Sequence, residues 1–282
     1  VERVRGTGKS LEEARGFYAK QMAAASRSAD PRLERVFAMV PREAFLPPPP
    51  WHVLINDHIV ETPGSDPSYL YQNSLIVLDA RKGINNGEPF LHAGWIGAVA
   101  PQPGEHVVHI GTGMGYYTAI LSMLVLDGGS VTAYEIDVWL AAAAARNLEP
   151  FDNVTVVNAD AVAARLPAAD VIYVNAGVVA PPASWLQALK PGGRLVFPWR
   201  PARDIGIAML VTRLAAGFSA QPLSRAWFIP CVGASEDART IRRPGYRSAW
   251  KTRAIVLDVE REPDDSAVAV YSGLWFSSQP PA

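Results

Sequence analysis

The chain has 282 residues, with 26 Lys and Arg against 27 Asp and Glu and a net charge of −1. That balance excludes electrostatic capture of nucleic acid or anionic membrane as its main task. The single cysteine, Cys231, excludes an internal disulfide and a multi-thiolate zinc site.

A chain of this length buries a full core, as one large domain or two smaller ones. No apolar run approaches transmembrane length, and the N-terminal stretch lacks the basic-then-apolar pattern of a signal peptide. With the lone cysteine, this leads to the expectation of a cytoplasmic protein with no membrane and no nucleic-acid partner. Oligomeric state stays open.

Leu11, Ala14, Phe17, Tyr18 and Met22 fall near helical spacing and predict an amphipathic helix over 11–26. Asp30-Pro31 reads as an N-cap followed by proline at the first helical position, and Leu33, Val36, Phe37 and Val40 give a second helix stopped by Pro41. The prolines at 47–50 make a stiff connector leading to Trp51. Residues 61–67 are loop by composition, Leu75–Leu78 is a short strand, and Lys82–Pro89 is a turn-rich loop. Phe90–Val99 reads as a helix ended by Pro101.

From Val107 the pattern alternates strand and helix. Strands are predicted at 106–110, 131–135, 154–157, 171–174 and 194–197, and helices at 116–126, 139–147 and 185–189. Ile205–Leu214 and Ala226–Val232 read as two further strands joined by the turn at 215–217. Beyond Ser235 a basic stretch (Arg239, Arg242, Arg243, Arg247, Lys251, Arg253) precedes strands at 254–259 and 268–276, which suggest a hairpin. The basic stretch reads first as a solvated or interface surface. The expected architecture is α/β, a doubly wound, mostly parallel, seven-stranded Rossmann-like sheet. Three regions are expected: 1–95, N-terminal helices and a substrate loop; 96–234, the ligand-binding Rossmann-like domain; and 235–282, an extension packed on the same core.

The chemistry concentrates after the first strand of that sheet, in His109-Ile110-Gly111-Thr112-Gly113-Met114-Gly115-Tyr116. Glycines there let a ligand approach the backbone, and the following helix aims its first N–H groups at it. A dinucleotide fingerprint needs Gly-x-Gly-x-x-Gly, yet the third glycine falls one place early and position 116 is Tyr. Gly-x-Gly-x-Gly instead looks like motif I of S-adenosylmethionine-dependent methyltransferases. Glu135 closes the second strand, where a carboxylate can accept hydrogen bonds from both ribose hydroxyls. Asp160 follows the third strand, placed to accept from an adenine amino group.

The resemblance extends further. Asp30-Pro31-Arg32-Leu33, Phe37 through Pro47 with its Val40-Pro41-Arg42 run, His109 through Ala119, Leu189 through Pro198 with Lys190-Pro191-Gly192-Gly193, and Phe228-Ile229-Pro230 are similar to segments of the protein-L-isoaspartate O-methyltransferase family. The likeness spans roughly residues 15–230, and 56–82 and the tail after Cys231 look like additions. It implies S-adenosyl-L-methionine as cofactor, held by His109, Gly111, Thr112, Gly113, Gly115, Tyr116, Glu135, Ile136, Asp160, Ala161 and Asn175. It also places the loop before motif I beside the reacting group. Where that family carries Thr-Ile-Ser-x-Pro, this chain has Asn85-Asn86-Gly87-Glu88-Pro89, so the serine position is Gly87, and His109 stands where motif I usually opens with an acid.

Asn85, Asn86, Glu88 and His92 are the candidate acceptor-facing residues, the asparagines as hydrogen-bond donors and Glu88 or His92 as a base. A carboxylate acceptor is already ionised and needs no base, whereas a hydroxyl does. The expected activity is O-methylation of a carboxyl or hydroxyl on a small molecule or modified peptide. Isoaspartyl repair and non-catalytic cofactor binding are the alternatives. No metal site is expected: the five histidines show no ligand-like pairing, since His106 and His109 point to opposite faces of one strand.

Overall fold

The computed structural model describes residues 10–236 and 239–281, so the N-terminal stretch read for a leader pattern lies outside it. The chain divides into two compact units, Val1–Gly97 and Ala98–Ala282.

In the first unit, helix α1 (Leu11–Ser26) opens on a capping box: Ser10 Oγ accepts from Glu13 N–H, and the Glu13 carboxylate accepts from Ser10 N–H at 2.9 Å. Helix α2 (Arg32–Met39) starts where Asp30 accepts from the Arg32 N–H at 2.9 Å. Tyr18 of α1 meets Phe37 of α2 edge to face, as the spacing of their apolar residues predicts. A four-stranded sheet follows, made of β1 (His52–Ile55), β2 (His58–Glu61), β3 (Leu75–Asp79) and β4 (Ile84–Asn85) in the order β2-β1-β3-β4.

The β1–β2 hairpin turns on Asn56 and Asp57, both at positive φ (46° and 67°), a conformation these residues tolerate better than most. The sequence reading assigned neither strand, because each is only four residues long and neither alternates apolar with polar residues. The buried Arg42 guanidinium donates to the carbonyls of Leu70, Gln72 and Ser74, pinning the segment before β3. Helix α3 (Pro89–Val99) follows, its first nine residues belonging to this unit.

The second unit is built on one sheet of eleven strands. Strand β5 (His106–Ile110), helix α4 (Tyr116–Leu124), strand β6 (Ser130–Glu135), helix α5 (Val138–Asn147), strands β7 (Val154–Asn158) and β8 (Ala169–Val174), helix α6 (Ala183–Ala188) and strand β9 (Leu189–Ala202) follow in sequence. Strands β9, β8, β5, β6 and β7 lie side by side in that order and pair in parallel. The order reverses between β5 and β8, so the loops after these two strands flank a topological switch point, where α/β sheets bind ligands.

The remaining strands correct the expected seven-stranded, mostly parallel sheet. Strand β10 (Ile205–Arg213) pairs antiparallel with β9, and β11 (Phe218–Arg225) pairs antiparallel with β10. Then come β13 (Ala254–Leu257), β15 (Leu274–Ser277), β14 (Ala267–Tyr271) and β12 (Thr240–Arg242), all antiparallel; a short helix α7 (Tyr246–Ala249) lies between β12 and β13. The partner of β10 is 218–225, not 226–232. The buried, apolar Phe218 and Ala220 alternate with Ser219 and Gln221, a half-buried pattern that the more apolar 226–232 masks. That later segment is irregular: Ala226 N–H donates to the Gly206 carbonyl of β10, Arg200 of β9 donates to the Phe228 carbonyl, and Pro230 bridges to Gly177. The expected single strand at 268–276 is itself a hairpin, broken at Gly273 (φ +97°).

Core residues come from both ends of this sheet. Trp185, Trp199, Phe197 and Ile172 share one cluster with Ile255, Tyr271 and Phe276 from the tail. The Trp199 and Phe276 rings stack at 4.4 Å. Trp199 Nε1 donates to the Val179 carbonyl at 2.9 Å.

Candidate functional site

Strand β5 delivers the chain into a turn that only glycine makes cheaply. Gly111, Gly113 and Gly115 sit at φ +78°, +56° and +103°. Tyr134 at the end of β6 accepts from the N–H groups of both Gly111 and Thr112, fastening the turn to the neighbouring strand. A Cβ at Gly111 would lie in ordinary contact with the Asn175 backbone and Cβ at 3.4–3.5 Å, so the positive φ rather than crowding calls for glycine there. Asn147 Nδ2 holds the Met114 carbonyl at 3.0 Å from the end of α5. Helix α4 then begins at Gly115 with no side-chain cap, which leaves its first N–H groups unclaimed by a capping side chain.

Glu135 stands beside this turn, buried, at the end of β6. One carboxylate oxygen accepts from Gly113 N–H at 2.8 Å and the other from Asp137 N–H at 3.1 Å. Burial raises its pKa above the usual glutamate value, opposed by those backbone N–H groups. Ile136 follows it, exposed. Asp160 lies after β7, where one oxygen accepts from Val162 N–H at 2.8 Å. Ala161 is buried, and its carbonyl receives Trp185 Nε1 at 3.0 Å.

His109 closes β5 inside the fold, with no exposure. Its Nδ1 meets Thr118 Oγ1 at 2.8 Å and its Nε2 meets Asn175 Nδ2 at 2.8 Å. Thr118 Oγ1 is hydrogen-bonded in turn to Thr112 Oγ1. Burial drives the imidazole down to about 3, so it is uncharged at neutral pH. An amide NH2 only donates, so Nε2 accepts and Nδ1 carries the proton toward Thr118. The run Asn175–His109–Thr118–Thr112 thus ties the loop after β8 to the glycine turn. Thr118 lies in the first turn of α4, inside the motif run, but was not singled out as a site residue; Asn147 was invisible, because nothing local links the end of α5 to the glycine turn.

The turn, the buried carboxylate and the run through His109 are therefore one constellation at the carboxyl ends of β5, β6 and β8. It suits an adenosyl ligand: Glu135 can accept from the sugar hydroxyls, the glycines admit close approach, and Asn175 Oδ1 is buried with no hydrogen-bond partner.

In the first unit, the loop candidates are arranged differently from the expectation. Asn85 Oδ1 accepts from Gly87 N–H at 2.9 Å, and Asn86 Oδ1 accepts from Ile76 N–H at 2.8 Å. Asn86 Nδ2 is buried without a partner. Glu88 is exposed and accepts from Asn73 Nδ2 at 2.7 Å. His92 is buried under the loop beside Trp95. A Cβ built on Gly87, which has φ +78°, would lie 2.1 Å from His92 Nε2. Gly87 is thus required by both backbone and space. His92 packs under the loop and is not displayed as a base.

Among the described residues no group of three or more His, Cys, Asp or Glu side chains converges on a possible metal position, and no helix is long and apolar enough to cross a membrane.

Comparison with known proteins gives a consistent result. The family described as Protein-L-isoaspartate(D-aspartate) O-methyltransferase (PCMT) matches residues 21–236. A protein-L-isoaspartate O-methyltransferase of Rhodopseudomonas palustris is 32% identical over 210 residues, covering 73% of this chain and 87% of the relative. One of Pelotomaculum thermopropionicum is 30% identical over 186 residues, covering 65% and 77%. In fold, the chain is similar to a solved protein-L-isoaspartate O-methyltransferase (TM-score 0.67, 23% identity, 88% of this chain and 74% of that one). It is also similar to a putative one from Plasmodium falciparum solved in complex with S-adenosyl-L-homocysteine (TM-score 0.61, 16% identity, 77% and 97%). The α/β methyltransferase fold is common to all three.

Proposed function

This chain belongs to the protein-L-isoaspartate O-methyltransferase family, and from that premise we propose that it esterifies a carboxylate of a modified peptide. It is an S-adenosylmethionine-dependent methyltransferase. The bound cofactor supplies a methyl group on a sulfonium, open to in-line displacement.

The observation that carries the cofactor assignment is Glu135, buried and fixed to the Gly113 N–H. A carboxylate so placed gains further donors from sugar hydroxyls. Gly111, Thr112, Gly113, Gly115 and Tyr116 would hold the turn against the ligand, His109 and Asn175 its methionyl end, and Ile136, Asp160 and Ala161 its base.

For the acceptor, two features favour a carboxylate over a hydroxyl. Glu88 is hydrogen-bonded to Asn73 and His92 is packed beneath Gly87, so neither candidate base is set out for proton abstraction. Asn86 Nδ2, by contrast, is a donor with no acceptor, and an ionised carboxylate needs donors and no base. Catalysis then rests on positioning and on exclusion of water. Isoaspartyl peptides are the first acceptors to try, because the relatives' names specify them.

The test is incubation with methyl-labelled S-adenosylmethionine and an isoaspartyl peptide, followed by base. Volatile, base-labile methanol is the expected product. Base-stable label, or binding of cofactor with no transfer to peptide, would overturn the carboxyl assignment.

A further inference from the structure

The cofactor carries an α-ammonium group, which needs acceptors. Position 109, where the resembling family opens motif I with an acid, holds His109, and a buried imidazole with no charge offers no counter-ion. The hydrogen bonds around it leave one atom over. Asn175 Nδ2 donates to His109 Nε2, so Nδ1 carries the proton to Thr118 Oγ1, which also bonds Thr112 Oγ1. The amide oxygen of Asn175 therefore faces away from the imidazole, and it is buried without a donor. Asn175 also lies against Gly111, the first residue of the ligand-binding turn, at 3.4 Å from where a side chain there would start. The Asn175 N–H is bound to the Ile110 carbonyl at 2.8 Å, which fixes the residue at the mouth of β5.

Resting on the cofactor assignment above, we propose that Asn175 Oδ1 receives the α-ammonium group of S-adenosylmethionine, with His109 as the positioning residue that sets the amide. One N–H of the amide nitrogen goes to His109, whereas the amide oxygen has no donor at all, and an ammonium group supplies one. A purely structural asparagine would leave its oxygen buried and unpaired in the working enzyme, a state that native proteins avoid.

The test compares, by calorimetry, S-adenosylhomocysteine with its analogue lacking the α-amino group and with its analogue lacking the α-carboxylate. The wild-type protein should prefer the parent over the deaminated analogue by about tenfold or more, as for a hydrogen bond to a charged group. Asn175→Ala should abolish that preference while leaving the penalty for the missing carboxylate intact. Asn175→Asp, which keeps an acceptor, should retain it. His109→Phe should weaken the preference, because the amide is then free to turn. If Asn175→Ala does not fold, Asn175→Leu, close in volume, is compared in the same way. No preference for the amine in the wild-type protein, an unchanged preference in the variants, or a loss confined to the carboxylate would each overturn the assignment. Absence of any thioether binding by the wild-type protein would instead overturn the cofactor reading on which it rests.

Discussion

At the scale of single residues, His109 should announce itself in the pH dependence of stability. Its imidazole titrates near 6.5 when unfolded and at about 3 when folded. Between those values the unfolded chain holds a proton that the native one refuses, so stability falls as pH drops from 6.5 toward 3. The slope from this one group is about 1.4 kcal/mol per pH unit. Denaturant unfolding at pH 7 and pH 5 should show it, and His109→Phe should flatten it. Glu135→Gln, which weakens the acceptor for the sugar hydroxyls, should lower cofactor affinity by roughly tenfold or more in calorimetry. Gly87→Ser restores the serine of the resembling family, yet its Cβ would fall on His92 Nε2 and its φ of +78° resists a side chain. A loss of about 1–3 kcal/mol in unfolding free energy is expected. Gly87→Ser with His92→Ala should recover part of it, since the imidazole is then gone. The departure at 87 was legible in the sequence, but its cause was not. The obstruction comes from a residue five places on, folded back underneath.

Among the elements, the tail strands matter more than their position in the chain suggests. Phe276 stacks on Trp199 of β9, and Tyr271 meets both: its ring lies edge to face with Phe276, and its hydroxyl is bonded to Trp199 Nε1 at 3.2 Å. Phe276→Ala should therefore cost about 3–5 kcal/mol, as for other buried aromatics, and lower the thermal midpoint accordingly. Removal of residues 235–282 would bare the β11 edge and empty part of the shared cluster. Loss of soluble, cooperatively folding protein is the expected result. Strand and helix of the parallel half were readable because continuous apolar runs and glycine turns mark buried parallel strands. Strands β1, β2 and β11 were not, because β1 and β2 are only four residues each and β11 mixes apolar residues with Ser, Gln and Pro, so none shows a sustained period.

For the whole molecule, binding to the native state alone should stabilise it. At a concentration one hundred times Kd, S-adenosylhomocysteine should add about 2.7 kcal/mol, seen as a rise of roughly 5 °C in thermal midpoint. A nicotinamide dinucleotide should give none. The sequence by itself determined the α/β alternation, the glycine turn, the acid at the end of the second parallel strand and the likeness to the family, because these depend on local periodicity and on residues close together in the chain. Only the tertiary structure decided that the sheet runs to eleven strands with an antiparallel majority. It alone put His92 beneath Gly87 and joined His109 to Asn175 and Thr118. The reason is physical: which strand edges meet, and that Asn175 reaches His109, is set by contacts tens of positions apart, while the fold-back of His92 and the meeting of His109 with Thr118 depend on side-chain directions that no periodicity records.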